Sequence, residues 1–262
     1  MSLPSVKSLV VSTGLYRPAR WLARHLRPAE LRTHLGDIEL YRSLVPAGAL
    51  CFDVGANIGV KSEALLKAGA RVVSFEPHPL LLPELRARCS HLENWSLVPT
   101  ALGSSAGIAT LYAREFHGES SLDQTWSGQV VGRYHVPVVP LDVAIRAFGA
   151  PWYCKIDVEG WELEVLKGLT QPIAVASIEF HLTDKEVAKT LSCLERLAQL
   201  GMTHANLCSA ESSRFHLPDW VAIDEFTKWF PGDLKQSLPG DQYGDIFVKN
   251  SNLTAPSAGS AT

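Results

Sequence analysis

From about residue 49 onward, short apolar runs of strand length alternate with longer amphipathic stretches. This alternation constrains the fold most strongly, because it is typical of strand–helix–strand units that build a parallel sheet covered by helices. It predicts strands at 49–53, 71–76, 95–101, 152–157, 173–180, 203–208 and 243–249. The helices are predicted at 58–68, 79–92, 140–148, 161–168, 184–200 and 219–230, with left-handed glycine caps at Gly69, Gly168 and Gly201.

The main domain is predicted to span 47–249. Segments of three kinds depart from its regular alternation of strands and helices. Residues 1–46 are expected to form a helical cap, because apolar residues recur there at near-helical spacing: Trp21, Leu22, Leu26, Leu31 and Leu35. Residues 103–139 and 209–242 are long insertions expected on the substrate side, where such connections are functional or carry short strands of their own. The polar residues 250–262 are expected to be a disordered tail.

Composition excludes several classes of protein. Hydrophobic residues make up 46% of the chain and charged residues 19%, as in globular domains, and the net charge of −3 offers no basic face for nucleic acid. No apolar stretch is long enough for a membrane span, and the one near Leu9 is too short for an export signal. The five cysteines are odd in number and contain no C-x-x-C, which favours core thiols in a reducing, cytoplasmic compartment.

A turn between the first strand and the first helix of this domain is of the nucleotide-binding type. It contains Gly55, Asn57 and Gly59, and Asn57 stands where a dinucleotide fingerprint has its second glycine, which disfavours a pyrophosphate. Asp53 precedes the turn and could balance a ligand with an ammonium or sulfonium charge, such as S-adenosylmethionine. Glu76 ends the next strand at the spacing typical of an acid that accepts hydrogen bonds from ribose hydroxyls.

An ordered set of motifs resembles the FkbM family of S-adenosylmethionine-dependent methyltransferases. The set is FDVGANIG (52–59), FEP (75–77), ALG (101–103), SSL (120–122), VVPLD (138–142), KIDVEGWE (155–162), LKG (166–168) and IEFH (178–181). The resemblance covers about 48–208 and implies a Rossmann-like class I methyltransferase fold, with a mostly parallel seven-stranded sheet. It also implies O-methylation of a hydroxyl on a sugar, glycan or polyketide-type product.

The cofactor residues expected from the turn and the resemblance are Asp53, Gly55, Asn57, Gly59, Glu76 and Ala101. Ala101 belongs to the turn expected near the adenine. Ser104 departs from the acidic residue that many relatives carry after this turn, which leaves the adenine contacts less defined. S-adenosylmethionine is the cofactor expected.

A second polar cluster is predicted at the ends of two later strands. Lys155 and Asp157 face one way on one strand, as do Glu179 and His181 on another, so neighbouring strands would bring all four together. Methyl transfer to a hydroxyl needs in-line positioning and a base, and the catalytic assignments are His181, Asp157 and Glu159. Two plainer interpretations stay open: Lys155 and Glu179 as a buried ion pair, and Glu159 as an acid at a helix N-terminus.

The same donors, Asp157, Glu159, Glu179 and His181, suit magnesium or manganese, but their spacing fits no strict motif, so no metal site is predicted. The first insertion offers polar and aromatic groups for an acceptor lid: Glu115, His117, Glu119, Ser120, Ser121, Trp126, Tyr134 and His135. Phe226, Trp229 and Phe230 are expected on the buried side of a helix rather than at a sugar. A nicotinamide-dependent oxidoreductase and a non-catalytic cofactor-binding scaffold remain the alternatives, and the acceptor and the oligomeric state stay open.

Overall fold

The structure is a computed structural model that describes residues 28–210, 212–232, 234 and 243–253. Most of the expected helical cap, including Trp21, Leu22 and Leu26, lies outside the described residues. Most of the expected tail, from 254 onward, lies outside them as well.

Helices and strands alternate through the described part of the chain. The helices are α1 Pro28–Leu44, α2 Val60–Lys67, α3 Leu82–Cys89, α4 Leu141–Phe148, α5 Glu162–Lys167, α6 Asp184–Gln199 and α7 Ile223–Trp229. The strands are β1 Leu50–Val54, β2 Arg71–Phe75, β3 Trp95–Val98, β4 Ala101–Gly103, β5 Gly107–Arg114, β6 Val130–Pro140, β7 Tyr153–Ile156, β8 Val175–His181, β9 His204–Ser209, β10 Val221–Ala222 and β11 Tyr243–Lys249.

The main sheet has eight strands in the order β10-β9-β11-β8-β7-β1-β2-β3. Strands β3, β2, β1, β7 and β8 pair in parallel, whereas β11 is antiparallel to both of its neighbours and β10 is antiparallel to β9. The expected Rossmann-like α/β fold is confirmed, with a mixed sheet and a short eighth strand beyond the predicted seven. Because β1, β2, β7 and β8 are parallel, their carboxyl ends meet at one edge.

The predicted strand at 95–101 is instead two strands in two sheets. Strand β3 ends at Val98, and β4 begins at Ala101 and pairs with β6 in a separate three-stranded sheet, ordered β4-β6-β5. Pro99 stands between them and has no backbone N–H for a sheet hydrogen bond, so the ladder stops there. The first insertion therefore carries its own strands, β5 and β6.

The predicted helix at 219–230 begins four residues later, at Ile223, and the preceding pair forms strand β10. The Asn206 side chain explains the difference, because its Nδ2 atom donates to the carbonyl oxygens of Leu217 and Asp219 at 3.0 and 3.1 Å. These contacts hold the backbone before the helix against β9. Phe226 and Phe230 are buried in the core, which confirms the expectation that this helix covers the sheet.

Hydrophobic side chains pack on both faces of the main sheet. Along β1, Phe52 and Val54 join the larger core cluster, while Cys51 joins the cluster beneath α1 and α2. Helix α1 falls in the predicted cap. Leu31 and Leu35, which were expected on its apolar side, are exposed, and Ile38 and Tyr41 lie on its buried side instead.

All five cysteines are buried and unpaired, as expected for small core residues. Burial raises the pKa of the Cys51 thiol to about 12, so it is an inert thiol at neutral pH. Among the described helices, none combines the length and the apolar composition that crossing a bilayer requires.

Gly168 is not the left-handed helix cap that the sequence predicts, since its φ is −80°. A glycine is required there for another reason: a Cβ atom would stand 2.2 Å from the carbonyl oxygen of Gly103 and 3.1 Å from the Leu141 nitrogen. The end of α5 thus touches the backbone of β4 and the start of α4. Gly69 and Gly201 do have positive φ, as predicted.

We expect Gly168→Ala to lower the free energy of unfolding by about 1–3 kcal/mol, because backbone atoms must move to admit the methyl group. Urea denaturation measures the change. Gly107→Ala is the matched control, because a Cβ atom at Gly107 meets nothing within 4 Å. Equal stability of the two variants would show that the backbone contact at Gly168 is not tight.

Candidate active site

A cleft opens at the carboxyl ends of β1, β2 and β7 and encloses about 640 Å³ of empty space, part of it open to solvent. Its wall is formed by the β1–α2 loop, the end of β2, strand β4, the first insertion and the loop after β7. These are the segments that carry the motifs of the sequence, so the fold gathers them around one cavity.

Gly55 brings two of these loops into contact. Its φ is +80°, and a Cβ atom added there would stand 1.8 Å from the carbonyl oxygen of Asp157. Only glycine lets the β1–α2 loop and the loop after β7 approach this closely. The Asp157 amide also donates to the Val54 carbonyl oxygen at 3.0 Å, so the two loops are held together at the cleft.

Glu76 is buried at the end of β2, and its carboxylate faces the turn of the predicted cofactor loop. One oxygen accepts the Asn57 amide at 2.7 Å and the other accepts the His78 amide at 2.7 Å. Asn57 itself has φ +51°, a conformation that asparagine tolerates better than most residues. Burial outweighs these two hydrogen bonds and raises the pKa of Glu76 to about 7.

Asp53 does not reach the cleft. Its carboxylate is fully buried beneath α2, where the Ser62 hydroxyl donates to it at 2.5 Å, and Ser62 in turn contacts Ser74 at 2.6 Å. The expected contact between Asp53 and a cationic ligand is therefore absent from this geometry. The reason is strand alternation: Asp53 points to the α2 face of the sheet, and Val54 faces the cleft.

The other expected cofactor residues divide in the same way. Gly55, Asn57, Glu76 and Ala101 line the cleft, and Ala101 does so from strand β4 of the small sheet. Gly59 does not, because it faces α3, where a Cβ atom would stand 2.5 Å from the Leu85 side chain. A glycine at position 59 therefore lets α3 pack closely against the start of α2.

The second polar cluster forms where β7 and β8 end side by side. The Lys155 ammonium is buried and lies 2.5 Å from the carboxylate of Asp157, which lines the cleft. Lys155 therefore forms its salt bridge with Asp157, two residues away, and not with Glu179 as the ion-pair interpretation expected. Burial alone would lower the pKa of Lys155, but the charges of Asp157 and Asp53 raise it above its usual range. Burial alone would raise the pKa of Asp157, but Lys155 lowers it.

Glu159, Glu179 and His181 lie next to this pair. One donor atom from each of them lies within 4.8 Å of the other two. Burial, followed by repulsion from Asp157 and Glu179, raises the pKa of Glu159 to about 10. Burial and the neighbouring carboxylates also raise the pKa of Glu179 well above its usual range, while burial lowers that of His181.

The three catalytic assignments do not share one wall. Asp157 and Glu159 line the cleft, whereas His181 lines a smaller adjacent cavity together with Trp126, Glu162 and Glu179. Because Glu159 lies close to both cavities, it connects His181 to the cleft.

Glu162, rather than Glu159, is the acid at the start of helix α5. Its carboxylate accepts the amides of Val158 and Gly160 at 3.0 and 3.1 Å. The helix interpretation of Glu159 is therefore wrong, because the helix begins three residues later and Glu159 adopts a left-handed φ of +57° that turns the chain at the cleft. In the sequence, Glu162 stands three residues after Glu159 and is the acid that points to a helix N-terminus.

The first insertion closes over both cavities. The Ser121 hydroxyl donates to the Glu159 carbonyl oxygen at 2.7 Å, and Lys189 on α6 binds Asp123 at 2.9 Å. The Trp126 ring lies 5.2 Å from the His181 ring in an edge-on arrangement. His117 and Ser120 also line the cleft, whereas Glu115, Glu119, Tyr134 and His135 are not among its lining residues.

Several residues of the cleft are not among the site residues that the sequence predicts. Leu81 and Thr100 lie outside every motif, and Pro77, Leu102 and Trp161 lie within motifs that gave them no role; most of the five are apolar. Apolar residues that bind a ligand look the same in sequence as apolar residues that fill a core. Within the described residues, the buried indole nitrogen of Trp161 has no hydrogen-bond partner.

Comparison with known proteins supports a methyltransferase. The sequence profile of the methyltransferase FkbM domain matches residues 53–226. The hexuronic acid methyltransferase AglP of Haloferax volcanii is 27% identical over 173 residues, which are 63% of this chain and 71% of that protein.

Solved structures similar to this chain include a TehB-like S-adenosylmethionine-dependent methyltransferase from Corynebacterium glutamicum. It is 13% identical with a TM-score of 0.47, and the match covers 91% of this chain and 98% of the other. The fibrillarin of Aeropyrum pernix, solved with bound S-adenosylmethionine, is 9% identical with a TM-score of 0.44, covering 78% and 68%.

The α/β fold and the cleft at the strand ends define a Rossmann-like class I methyltransferase. The chain belongs to the FkbM methyltransferase family, whose profile covers more than half of it. It is an enzyme that transfers a methyl group from S-adenosylmethionine. The alternatives of a nicotinamide-dependent oxidoreductase and of a non-catalytic scaffold are not supported.

The raised pKa of Glu76 makes stability depend on pH. An acid with a pKa near 4.5 when unfolded and about 7 when folded stabilises the fold at low pH, and this contribution is lost as pH rises through 7. From pH 5 to pH 8, we expect Glu76 alone to reduce the free energy of unfolding of the ligand-free protein by about 2–3 kcal/mol.

Urea unfolding at the two pH values, on wild type and Glu76→Gln, isolates this contribution. The variant should change less between pH 5 and pH 8 than wild type, whatever its absolute stability. An identical pH dependence would mean that Glu76 is ionised in the folded protein at pH 5.

Proposed function

We propose that this enzyme transfers a methyl group to a hydroxyl oxygen of a sugar, as part of a glycan or a glycosylated product. The observation that carries the proposal is that Glu76, Asp157 and Glu159 line one cleft. Two of these acids bound the acceptor end and the third faces the cofactor loop. The similarity to a hexuronic acid methyltransferase supports a saccharide acceptor.

The cofactor is proposed to lie along the ends of β1 and β2. The Glu76 carboxylate would accept hydrogen bonds from the ribose hydroxyls, and Gly55 and Asn57 would face the methionine part. Ala101 and Leu102 would contact the adenine from β4, where the unpartnered Trp161 N–H also offers a donor. Asp53 acts only indirectly, beneath the loop.

The reaction is an in-line displacement. The acceptor oxygen attacks the methyl carbon as the carbon–sulfur bond breaks, and the electron pair of that bond neutralises the sulfonium. The hydroxyl proton leaves as the new carbon–oxygen bond forms and passes to the Asp157 carboxylate, which lines the cleft. Because no bond to the protein forms, positioning of the two reactants and removal of the proton are what the side chains supply.

The acceptor hydroxyl is proposed to bind beside Asp157 and Glu159, with His181 behind Glu159 as the neutral group that assists its activation. Asp157 is held in place by Lys155, so it can orient the hydroxyl, and Ser120 and Ser121 of the insertion cover the same end of the cleft. A polyhydroxylated ligand suits this mixture of carboxylates and hydroxyls. The expectations that nucleic acid is not a partner and that the enzyme is cytoplasmic stay predictions.

Glu76→Ala should weaken binding of S-adenosylmethionine about 10- to 100-fold, since it removes charged hydrogen bonds to the ribose and frees the Asn57 amide. Isothermal titration calorimetry measures the dissociation constant. Glu93→Ala is the control, because it removes the same charge from an exposed position before β3. Unchanged affinity in Glu76→Ala would exclude the ribose contact.

His181→Ala should reduce methyl transfer about 10²- to 10⁴-fold, the range for loss of a group that assists proton removal. Affinity for S-adenosylmethionine should stay within a factor of two or so, because His181 does not line the cleft. The test measures S-adenosylhomocysteine release with a panel of uronic acids, neutral sugars and amino sugars.

His204→Ala is the control for the His181 variant. His204 pairs with Lys249 at the opposite end of the sheet, whereas His181 pairs with Tyr243 at the cleft end. Full turnover in His181→Ala would remove His181 from the mechanism. If no sugar in the panel accepted a methyl group while the cofactor bound normally, the saccharide proposal would fail.

A further inference from the structure

Glu159, Glu179 and His181 present donor atoms of the two kinds that bind transition metals, carboxylate oxygen and imidazole nitrogen. These atoms lie within 4.8 Å of one another. In an octahedral site with bonds near ~2.1 Å, neighbouring donor atoms are ~3 Å apart and opposite ones ~4.2 Å apart. Small side-chain rotations therefore bring the three donors to coordination distance of a shared ion.

The His181 ring is held in a defined orientation toward these carboxylates. Tyr243 stacks on it with the ring centroids 5.5 Å apart and an interplanar angle of 15°, and Trp126 meets it edge-on with the centroids 5.2 Å apart. Its Nε2 atom lies 3.2 Å from Glu179. The two aromatic rings orient the imidazole, and Nε2 is the ring nitrogen that faces Glu179 and is placed to bind a shared ion.

Carboxyl groups are concentrated around this group. Asp157 and Glu159 line the same cleft, and Glu162 and Glu179 line the smaller cavity together with His181. Lys155 is bonded to Asp157, and Lys189 is bonded to Asp123 and Glu186. Neither lysine forms a salt bridge with Glu159 or Glu179, so these two carboxyl groups are the ones available to hold a cation.

We propose that Glu159, Glu179 and His181 bind one divalent transition-metal ion, for which Mn²⁺ is the best match. Two carboxylates with one imidazole suit Mn²⁺, and three protein ligands leave three octahedral positions open. Because Glu159 lines the cleft, the open positions would face the acceptor end.

The ion would serve the proposed sugar acceptor, and this part of the inference rests on the proposed function. Two neighbouring oxygen atoms of a sugar, either two hydroxyls or a hydroxyl and a carboxylate, would fill two open positions. Without a cation, Glu159 and Glu179 offer the carboxylate of a uronic acid no positively charged partner. With one, the same site binds the carboxylate and places the neighbouring hydroxyl.

Titration of the intact protein with Mn²⁺, followed by the loss of the free-ion electron paramagnetic resonance signal, tests the site directly. Neither S-adenosylmethionine nor an acceptor is needed. We expect one saturable site per chain in wild type, and at least about tenfold weaker binding in Glu179→Gln and in His181→Asn. Circular dichroism confirms that each variant is folded, and Glu159→Gln replaces any variant that is not.

Glu164→Gln is the matched control. It removes one carboxylate from the neighbouring helix α5, where Glu164 is bonded to Lys167 and Ser104, so Mn²⁺ binding should stay at the wild-type level. Absence of saturable binding in wild type, or equal binding in Glu179→Gln and Glu164→Gln, would overturn the metal site. Normal binding of S-adenosylmethionine in the same preparation would then leave the proposed methyltransferase function standing.

Discussion

The buried ammonium of Lys155 is the interaction on which the charged end of the sheet depends. It lies between two acids, bonded to Asp157 and close enough to Asp53 for that charge to raise its pKa. A buried cation is costly without partners, and buried carboxylates are equally costly without a cation. Lys155 therefore allows one acid near the end of β1 and another directly after β7, at the same edge of the sheet. Glu159 and Glu179 lie next to this pair without a salt bridge to Lys155, and its charge offsets only part of the burial and repulsion that raise their pKa values.

Close backbone contacts at two glycines hold the Asp157 end of the cleft against the β1–α2 loop and strand β4. Gly55 places the β1–α2 loop directly on the carbonyl oxygen of Asp157, and Gly168 places the end of α5 on Gly103 of the small sheet. Through these two contacts, the β1–α2 loop, the segment from Asp157 to the end of α5, and strand β4 form one continuous wall. Ser121 then fastens the insertion to the same wall at Glu159. The cleft is thus shaped by backbone packing, and its chemistry is supplied by the carboxylates between the contacts.

Sequence patterns located the elements well and the side-chain directions less well. The alternation of apolar runs predicted a Rossmann-like sheet, and the acids at strand ends predicted where a ligand would bind. Asp53 and Glu76 were both predicted at strand ends, but Asp53 is the residue before the end of β1 and lies under α2, whereas Glu76 follows β2 and faces the cleft. A strand end one residue longer or shorter reverses the face, and sequence patterns do not define ends that finely. Helix α5 was likewise predicted to begin too early, so the position at its N-terminus was assigned to Glu159 instead of Glu162.

By itself, the sequence determined the fold class, the cofactor loop and the family, because these depend on local periodicity and on motifs of neighbouring residues. Only the tertiary structure decided that Lys155 pairs with Asp157, that Glu159 meets Glu179 and His181, and that Trp126 covers the last of these. Such contacts join residues far apart in the chain. They depend on strand register, on the path of the insertion and on packing between elements, none of which a periodic pattern specifies.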